Sequence, residues 1–411
     1  MNSKNGGSVG DSCASKMRSP LIVDAYGRET IICGLIILAF FGGLCATMGV
    51  KNMFSTMMNT AYSLVVDTSF YIMGVAVLTG ALSGLMSEFG IIGLINKILA
   101  PLMKPLYKLP GASTLAIITT FLSDGPAVVS LGKDKDFIKY FTPRQKTVLV
   151  NLGTTFAMGL IVVSFMLGLA EDSSFIIAIV CGLIASCCAS VISVRLMYRF
   201  SRKAVDTRWG KDADNLINIQ SENDDGLSYN IMTERIKREG SMFNRVLGSL
   251  VDGGRTGVDL GLMIIPGNVI ICTILMMLVK SPSANGFTGA AMEGVGLIPF
   301  LADQIHFLLQ PLFGFVHSEA IAFPISCLGS TGASLSMIPG FLKDGIIGAN
   351  EIAVFTAFGM TYSGYLSAHV AFMDALGCRE MAGKAIAAHT IAGICAGIIA
   401  HWTFVLVTIF L

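Results

Sequence analysis

The chain has 411 residues, of which 53% are hydrophobic and only 13% are charged, and its formal net charge is +1. A mean hydropathy of +0.71 and charge-free runs long enough to cross a bilayer indicate an integral membrane protein with the lipid bilayer as its surroundings. The near-zero net charge argues against nucleic acid as a partner, and the ten cysteines form neither a disulfide framework nor a CxxC zinc pair.

In chain order, residues 1–30 are predicted to form a polar cytoplasmic tail, and residues 31–57 are predicted to hold an extra transmembrane helix rather than a cleaved signal peptide. Apolar runs predict seven full spans, at 31–50, 68–87, 147–170, 174–194, 260–279, 352–373 and 385–411. The mixed-charge stretch 199–255 is predicted to be a solvated cytoplasmic linker.

Two further apolar runs, 111–132 and 318–342, are interrupted by polar and small residues. The interruptions are Ser123-Asp124-Gly125-Pro126 and Gly329-Ser330-Thr331-Gly332. Each run is predicted to be a helical hairpin that turns inside the membrane, where free backbone groups must be buried in protein or line a polar cavity. An amphipathic stretch precedes each hairpin, at 91–108 and 297–316, and is predicted to lie along the membrane interface.

An internal repeat relates the two hairpins. Residues 86–160 align without a gap to residues 292–366 at an offset of 206, and identical pairs include Gly90/Gly296, Pro105/Pro311, Gly153/Gly359 and Thr155/Thr361. The predicted copies, 58–198 and 256–411, each contain a span, an interfacial helix, a hairpin and two spans. Lys and Arg follow the first hairpin densely but the second sparsely, which predicts inverted copies, a cytoplasmic linker and an outward C-terminus in a cell membrane.

Asp124 is the residue of the first hairpin that most needs an explanation. It is the only charged residue between Gly111 and Gly132, and an ionised carboxylate at mid-bilayer costs at least ~2.5 kcal/mol. We expect it to bind a solute or a coupling cation at the hairpin tip, where half-helix ends supply further polar groups. The alternative is that Asp124 only caps the returning half-helix.

The span after each hairpin contains glycine next to hydroxyl and amide residues, Asn151-Leu152-Gly153-Thr154-Thr155 in one copy and Gly359 to Gly364 in the other. A glycine inside a helix costs up to ~1 kcal/mol relative to alanine, so these spans are predicted to be broken, with close helix packing as the alternative. The predicted cation site is Asp124, Asn151, Thr154 and Thr155. The predicted solute site is Ser123, Asp124, Gly329, Ser330, Thr331, Thr361 and Ser363.

Other polar residues of the predicted spans carry weaker indications. His369, Asp374 and His389 lie in the last two spans, where a proton relay and helix–helix hydrogen bonding are the alternatives. Asn268 follows Pro266-Gly267, which predicts a kink in the span that opens the second copy.

The order of elements and the two hairpin motifs resemble the nucleoside-recognition Gate domain membrane proteins, which are similar in architecture to the concentrative nucleoside transporters. Ser123-Asp124-Gly125-Pro126 is similar to the first-hairpin motif of those transporters, and Gly329 to Gly332 is similar to the small-residue turn of their second hairpin. The resemblance covers about residues 60–411. It implies an all-α membrane fold, a nucleoside-like solute and a trimeric homo-oligomer.

These observations predict a secondary active transporter of a small polar organic solute, with alternating access at a mid-membrane site. No P-loop, HExxH or Ser/His/Asp set is found, so we expect no enzymatic activity, no cofactor and coupling to Na⁺ or H⁺. One alternative is a metal permease, since Gate-type domains also resemble the membrane part of ferrous-iron transporters and Cys327 precedes the second tip. Another is a non-transporting morphogenesis factor that resembles the spore-maturation proteins.

Overall fold

A computed structural model describes residues 24–123, 126–217, 230, 232–283 and 285–410. The described residues form helices and no β-strand. Six helical runs are long and apolar enough to cross a membrane: Arg28–Met48, Val50–Glu88, Pro143–Gly168, Ser173–Asp214, Met242–Val279 and Arg379–Phe410. The protein is therefore an all-α membrane protein, as its composition predicts.

The chain divides into two compact units, Met1–Thr47 and Met48–Leu411. Helix α1 (Arg28–Met48) accounts for the described helical residues of the first unit, and its 21 apolar-rich residues suffice to cross a bilayer core. It agrees with the predicted extra helix, although it ends at Met48 rather than at residue 57. The following helix begins immediately after Gly49, whose φ of 80° interrupts the helical backbone.

The second unit has two halves with matching series of helices. The first half contains α2 (Val50–Ser63), α3 (Phe70–Glu88), α4 (Ile91–Tyr107), α5 (Ser113–Leu122), α6 (Pro126–Lys133), α7 (Lys135–Ile138), α8 (Pro143–Lys146), α9 (Leu149–Thr154), α10 (Gly159–Gly168) and α11 (Ser173–Trp209). The second half contains α12 (Met242–Gly267), α13 (Thr273–Val279), α14 (Leu297–Asp303), α15 (His306–Phe313), α16 (Ala322–Cys327), α17 (Thr331–Lys343), α18 (Ala349–Thr361), α19 (Tyr365–Ala375) and α20 (Ala382–Phe410). A π-helical turn lies in each half, at Leu64–Ser69 and Asn268–Cys272.

Backbone positions with positive φ recur between the halves at the offset of 206 residues. The pairs are Gly90 and Gly296, Lys108 and Gly314, and Met158 and Gly364. The two members of a pair mark the same boundary in their respective halves. Gly90 and Gly296 precede the amphipathic segment, Lys108 and Gly314 follow it, and Met158 and Gly364 precede the helix after the break. Matching boundaries therefore accompany the sequence identities between the halves.

The predicted interruptions are confirmed among the described residues. Helices α5 and α6 pack against each other, as do α16 and α17, and each pair is separated by a few residues around the predicted tip. Asp124 and Gly125 lie outside the described residues. Helices α9 and α10 are separated by residues 155–158, and α18 and α19 by residues 362–364, so both predicted breaks are present.

Two predicted boundaries differ from the structure. The second amphipathic stretch is two helices, and α15 forms a 73° bend with Ser318–Cys327. The linker is shorter than 199–255, since α11 continues to Trp209 and α12 begins at Met242.

The broken spans form the centre of the second unit. Every side chain of α9 and every side chain from Glu351 to Thr361 in α18 is buried. Helix α9 packs against α19 and α20, and α10 packs against α18, so the two broken spans pack against each other, with the first part of each facing the second part of the other. This arrangement places the polar residues of both breaks in the protein interior.

Helices α3 and α12 form a close-packed pair along a row of small residues. A Cβ atom built on Gly80 would lie 2.3 Å from the carbonyl oxygen of Gly253, and one built on Gly84 would lie 2.3 Å from that of Ser249. On the facing helix, a Cβ on Gly257 would lie 2.3 Å from the carbonyl oxygen of Ala76. Small residues spaced by four permit this backbone approach in membrane helices.

Glu293 organises the loop between α13 and α14. Only 4% of its surface is exposed, and it accepts hydrogen bonds from the backbone N–H groups of Thr288 and Gly289 and from the hydroxyls of Thr288 and Ser283. Burial acts to raise the pKa of this carboxyl, but the hydrogen bonds outweigh it and hold the pKa below its ordinary value. The loop is therefore built around an ionised glutamate.

Candidate functional site

The tip of the second hairpin is attached to the broken span that follows it. Ser330 caps α17, since its hydroxyl accepts a hydrogen bond from the N–H of Ala333 at 3.2 Å. The hydroxyl of Thr331 donates to the carbonyl oxygen of Gly359 at 3.0 Å, and the N–H of Gly364 donates to the carbonyl oxygen of Cys327 at 3.1 Å. The hairpin and the break thus satisfy each other's free backbone groups.

Close approach at glycine makes this attachment possible. A Cβ on Gly364 would lie 3.2 Å from the carbonyl oxygen of Gly329, and the residue's φ of 57° is a conformation that glycine adopts without strain. Ser363 lies next to it and is half-buried. The predicted solute residues Gly329, Thr331 and Ser363 are therefore brought to one region.

The first hairpin packs against its own broken span in a similar way. A Cβ on Gly153 would lie 2.8 Å from Val128, and one on Gly159 would lie 2.3 Å from the ring of Phe121. Ser123 ends α5 and is half-buried. The hydroxyls of Thr154 and Thr155, both predicted cation ligands, donate to the carbonyl oxygens one turn earlier in their own helix.

A buried hydrogen-bonded chain joins the two breaks. The side-chain nitrogen of Asn151 lies 3.0 Å from the hydroxyl of Ser193, which lies 3.0 Å from Nδ1 of His389. Nε2 of His389 lies 2.5 Å from the carbonyl oxygen of Thr361. All four residues are fully buried, and they come from α9, α11, α20 and α18.

The direction of every hydrogen bond in this chain follows from the carbonyl group. A carbonyl oxygen only accepts, so Nε2 of His389 carries a proton and Nδ1 of the neutral ring is an acceptor. Ser193 therefore donates to His389 and accepts from Asn151. The Asn151 nitrogen also donates to the carbonyl oxygen of Ala385 at 3.0 Å, which fixes the orientation of its amide.

Two oxygens in this hydrogen-bonded series of side chains have no hydrogen-bond partner among the described residues. They are Oδ1 of Asn151 and Oγ1 of Thr361, one from each break. An unpaired buried polar group costs about 1–3 kcal/mol, so such atoms call for a functional explanation. Both can coordinate a cation or accept a hydrogen bond from a solute.

A cavity of about 280 Å³ lies between α3 and α12. Hydroxyl groups of Thr79, Ser83 and Ser87 on α3 and of Thr256 on α12 line it, and Ser123 at the first hairpin borders it. The close-packed glycines of the helix pair form part of its wall. The cavity is therefore a polar space that reaches the first hairpin.

Charged residues surround one end of this cavity. Glu88 is 4% exposed on its side chain and contacts Arg245 at 2.7 Å and Arg238 at 3.4 Å, and Arg238 also pairs with Asp252. The hydrogen bond to Asp252 raises the pKa of Arg238, although desolvation opposes it. Arg238 comes from the connector between the two halves, so that connector is fixed across the cavity end.

Sequence reasoning missed several of these residues. Ser193 was not singled out, and His389 was considered for a proton relay or for helix–helix hydrogen bonding without its partners. Ser123 was predicted, but the hydroxyl residues of α3 and α12 that line the cavity, and Glu88 at its end, were missed. The one available indication was that polar side chains inside apolar helices need partners; which partners they have depends on the packing of distant helices.

Within the described ranges, no group of three or more His, Cys, Asp or Glu side chains is arranged to hold a metal ion. Cys327, the thiol on which the metal-permease alternative depends, is completely buried beside the second tip. A soft metal would need further soft ligands near it.

Fold and site together define an all-α membrane protein with two broken helices packed against each other and a buried polar centre. No known family model and no solved structure matches the chain. The chain is similar to an uncharacterized protein of Alkalihalophilus pseudofirmus, with 28% identity over 210 residues. The match covers 50% of this chain and 43% of that protein, so it spans less than half of the relative's length.

Proposed function

We propose that the protein is a secondary active transporter that carries a small polar organic solute, nucleoside-like in size and polarity, by alternating access. The observation that carries the proposal is the buried chain from Asn151 to Thr361. It joins two broken spans that pack against each other and leaves one oxygen of each span without a partner among the described residues. Substrate and ion sites of transporters are typically formed by broken helices near the bilayer midplane.

We propose further that the two halves are inverted copies, with the N-terminus and connector in the cytoplasm of a cell and the C-terminus outside. The matched positive-φ positions and the 206-residue offset support the repeat, and the unequal Lys and Arg content after the two hairpins supports the inversion. In this arrangement the solute lies between the hairpin tips, with Ser123 and Asp124 on one side and Ser330, Thr331, Thr361 and Ser363 on the other. The transporter works as a homo-oligomer.

The hydroxyl-lined cavity supplies the route to this site. Its lining of Thr79, Ser83, Ser87 and Thr256 offers donors and acceptors, with the charged Glu88, Arg238 and Asp252 at one end, which suits a polar solute. The coupling ion, Na⁺ or H⁺, binds at the first break, at Asn151 with Thr154 and Thr155 and with Asp124 of the hairpin. Its binding orders the polar chain and prepares the solute site.

Uptake into proteoliposomes tests the proposal. Labelled nucleosides, amines, amino acids and carboxylates are each offered with a Na⁺ gradient, with a proton gradient and with none, and accumulation above the external concentration is expected for one solute class with one gradient. Asn151→Ala removes a ligand worth about 1.5–3 kcal/mol, so the apparent ion affinity should fall roughly ten- to a hundredfold. Ser186→Ala is the matched control, since this buried hydroxyl of α11 bonds only to its own helix. Uptake that only equilibrates, with or without gradients, would leave a facilitator or a channel.

Asp124→Asn tests the first hairpin separately. Asp124 lies outside the described residues, and the expectation rests on its being the lone charge of the hairpin sequence. The purified variant should unfold at the same temperature as the parent without ions, but should lose the stabilisation that Na⁺ or protons confer on the parent. An unchanged ion response would remove Asp124 from the mechanism.

A further inference from the structure

Two histidines face each other beside the polar chain. The ring centroids of His369 on α19 and His389 on α20 are 4.6 Å apart, and both side chains are completely buried. The ring of Tyr365 borders both, at 5.6 Å from His369 and 5.2 Å from His389. The function proposed above uses His389 only as a bridge between the breaks and does not use His369.

The hydrogen bonds fix the tautomer of each ring. Nδ1 of His369 lies 3.0 Å from the carbonyl oxygen of Tyr365, so this nitrogen carries the proton and Nε2 holds a lone pair. That Nε2 has no hydrogen-bond partner in the described part of the chain. His389 has the opposite tautomer, with its proton on Nε2 and its lone pair directed to Ser193.

The two rings therefore differ in how readily each accepts a proton. A proton added to Nε2 of His369 breaks no hydrogen bond. A proton added to Nδ1 of His389 requires the Ser193 hydroxyl to turn from donor to acceptor, and this disturbs its bond to Asn151. Burial disfavours the charged form of either ring, and two positive rings at this separation would also repel each other, so the pair binds at most one proton.

Other ionisable groups on the surrounding helices are engaged elsewhere or exposed. Helix α9 has none, Lys133 of α6 is exposed and Lys384 of α20 is half-buried. Among the remaining charged or titratable groups, Arg199, Arg202 and Lys203 of α11 are exposed. The others are paired as follows: Asp206 with Arg144, Tyr198 with the carbonyl oxygen of Lys108, His306 with the carbonyl oxygen of Phe315, Arg379 with Asp374, Glu380 with Arg208, Arg195 with the carbonyl oxygens of Pro105 and Leu106, Glu351 with the N–H of Gly348, Tyr362 and Tyr365 with Thr390, and His401 with Asn350. The cysteines of these helices, Cys181, Cys187, Cys188 and Cys395, form no hydrogen bond with either imidazole within the described ranges.

We propose that His369 and His389 form a single proton-binding site, distinct from the predicted cation site at the first break, and that a transporter coupled to H⁺ takes up its proton at this pair instead of at that site. The step is a simple addition, in which one N–H bond forms at Nε2 of His369 and the pair gains one positive charge. The added positive charge lies beside the ring of His389, 4.6 Å from centroid to centroid, and that ring is hydrogen-bonded to Ser193 and Thr361, which links proton binding to the polar chain between the two broken spans. The coupling role rests on the proposed transport function, whereas the proton site itself does not.

Nitrogen-15 NMR of histidine-labelled full-length protein in lipid bilayers tests the site without a solute. The chain has five histidines, and the His369→Gln and His389→Gln spectra assign the two buried ones. At alkaline pH, opposite neutral tautomers are expected for the two rings. As the pH falls, one doubly protonated ring should appear for the pair, and it should be lost in His369→Gln but retained in the control His317→Gln, whose side chain is exposed.

Either of two results would overturn the proposal: both rings staying neutral at every pH at which the parent protein remains folded, or both becoming cationic together. If a variant fails to fold, the count of protonated rings in the parent spectrum still decides between these outcomes. Proton-gradient uptake in proteoliposomes separates the two proposals. Transport driven by Na⁺ alone with a neutral pair contradicts the proton site and leaves the transporter, whereas a protonated pair without any driven uptake contradicts the transporter and leaves the proton site.

Discussion

A single methyl group at Gly253 should separate α3 from α12. A Cβ at this position would lie 2.2 Å from the carbonyl oxygen of Gly80 and 2.8 Å from its carbonyl carbon, whereas real Cβ atoms essentially never approach closer than 3.0 Å. Because both obstructing atoms belong to the backbone, no side-chain rotation relieves the clash. In Gly253→Ala the helices must move apart until this distance rises from 2.2 Å to at least 3.0 Å.

The expected change in the free energy of unfolding is the balance of two effects. Overpacking a well-packed interface typically costs about 1–3 kcal/mol, while alanine is favoured over glycine inside a helix by about 1 kcal/mol. The neighbouring glycine provides a matched control, because a Cβ on Gly254 would lie at ordinary contact distances from Val77, 3.5 Å from its side chain and 3.9 Å from its carbonyl oxygen. Gly254→Ala should therefore be neutral or stabilising by up to about 1 kcal/mol, and Gly253→Ala should be less stable than it by about 1–3 kcal/mol.

Thermal unfolding of both purified variants in one detergent and at one scan rate measures the difference. The Gly253→Ala midpoint should lie below that of the parent, and the Gly254→Ala midpoint at or above it. Since Gly253 also lines the cavity, hydrogen exchange near Ser83 should rise in the first variant only. Equal midpoints for the two variants would refute the tight helix contact and the shape of the cavity that depends on it.

Two further predictions concern charged groups outside the helix pair. Glu293→Gln places an amide against the N–H groups of Thr288 and Gly289 and should lower the free energy of unfolding by about 1–3 kcal/mol at neutral pH. Because the folded-state pKa of Glu293 is lowered, the stabilisation from its carboxylate is complete above the ordinary pKa of 4.5 and is lost as the pH falls through the folded-state pKa. The melting temperatures of parent and variant should therefore converge in acid. Convergence at neutral pH instead would contradict the ionised carboxylate. Arg238→Gln should raise hydrogen exchange around Glu88, whereas the exposed Lys237→Gln should not; equal exchange in both would show that Arg238 does not hold the connector in place.

The helix breaks were predictable because their cause is local. Glycine beside hydroxyl residues weakens a helix wherever it occurs, and the sequence around Gly359 to Gly364 predicted a break that the structure has. The matching break in the first half was predicted from Gly153, but its positive φ lies at Met158, a residue that gives no sequence indication of a left-handed conformation. The 206-residue offset to Gly364 is the feature that identifies Met158.

The contacts of the candidate site were not predictable, because they join helices far apart in sequence. Asn151 was singled out as a polar residue within an apolar span. A buried amide in such a span needs hydrogen-bond partners, but this requirement does not identify them. Its partner Ser193, however, is one of several serines in α11, and nothing in the sequence distinguishes it from Ser186 or Ser190. Only the packing of α9, α11 and α20 selects it.

The two hairpins differ in ways that give the proposed transport cycle a direction. At the second tip, the hydroxyl of Ser330 already accepts a hydrogen bond from Ala333, and that of Thr331 already donates one to Gly359. A solute that binds either hydroxyl must therefore share it with an existing hydrogen bond. The first hairpin instead borders the polar cavity at Ser123. A solute in the cavity can therefore lie against the first hairpin, with the Arg238 ion pairs across the cavity end, whereas access past the second requires its attachment to the broken span to open. In the proposed transporter, the described conformation is closed on the side of the second hairpin, and its cavity lies beside the first.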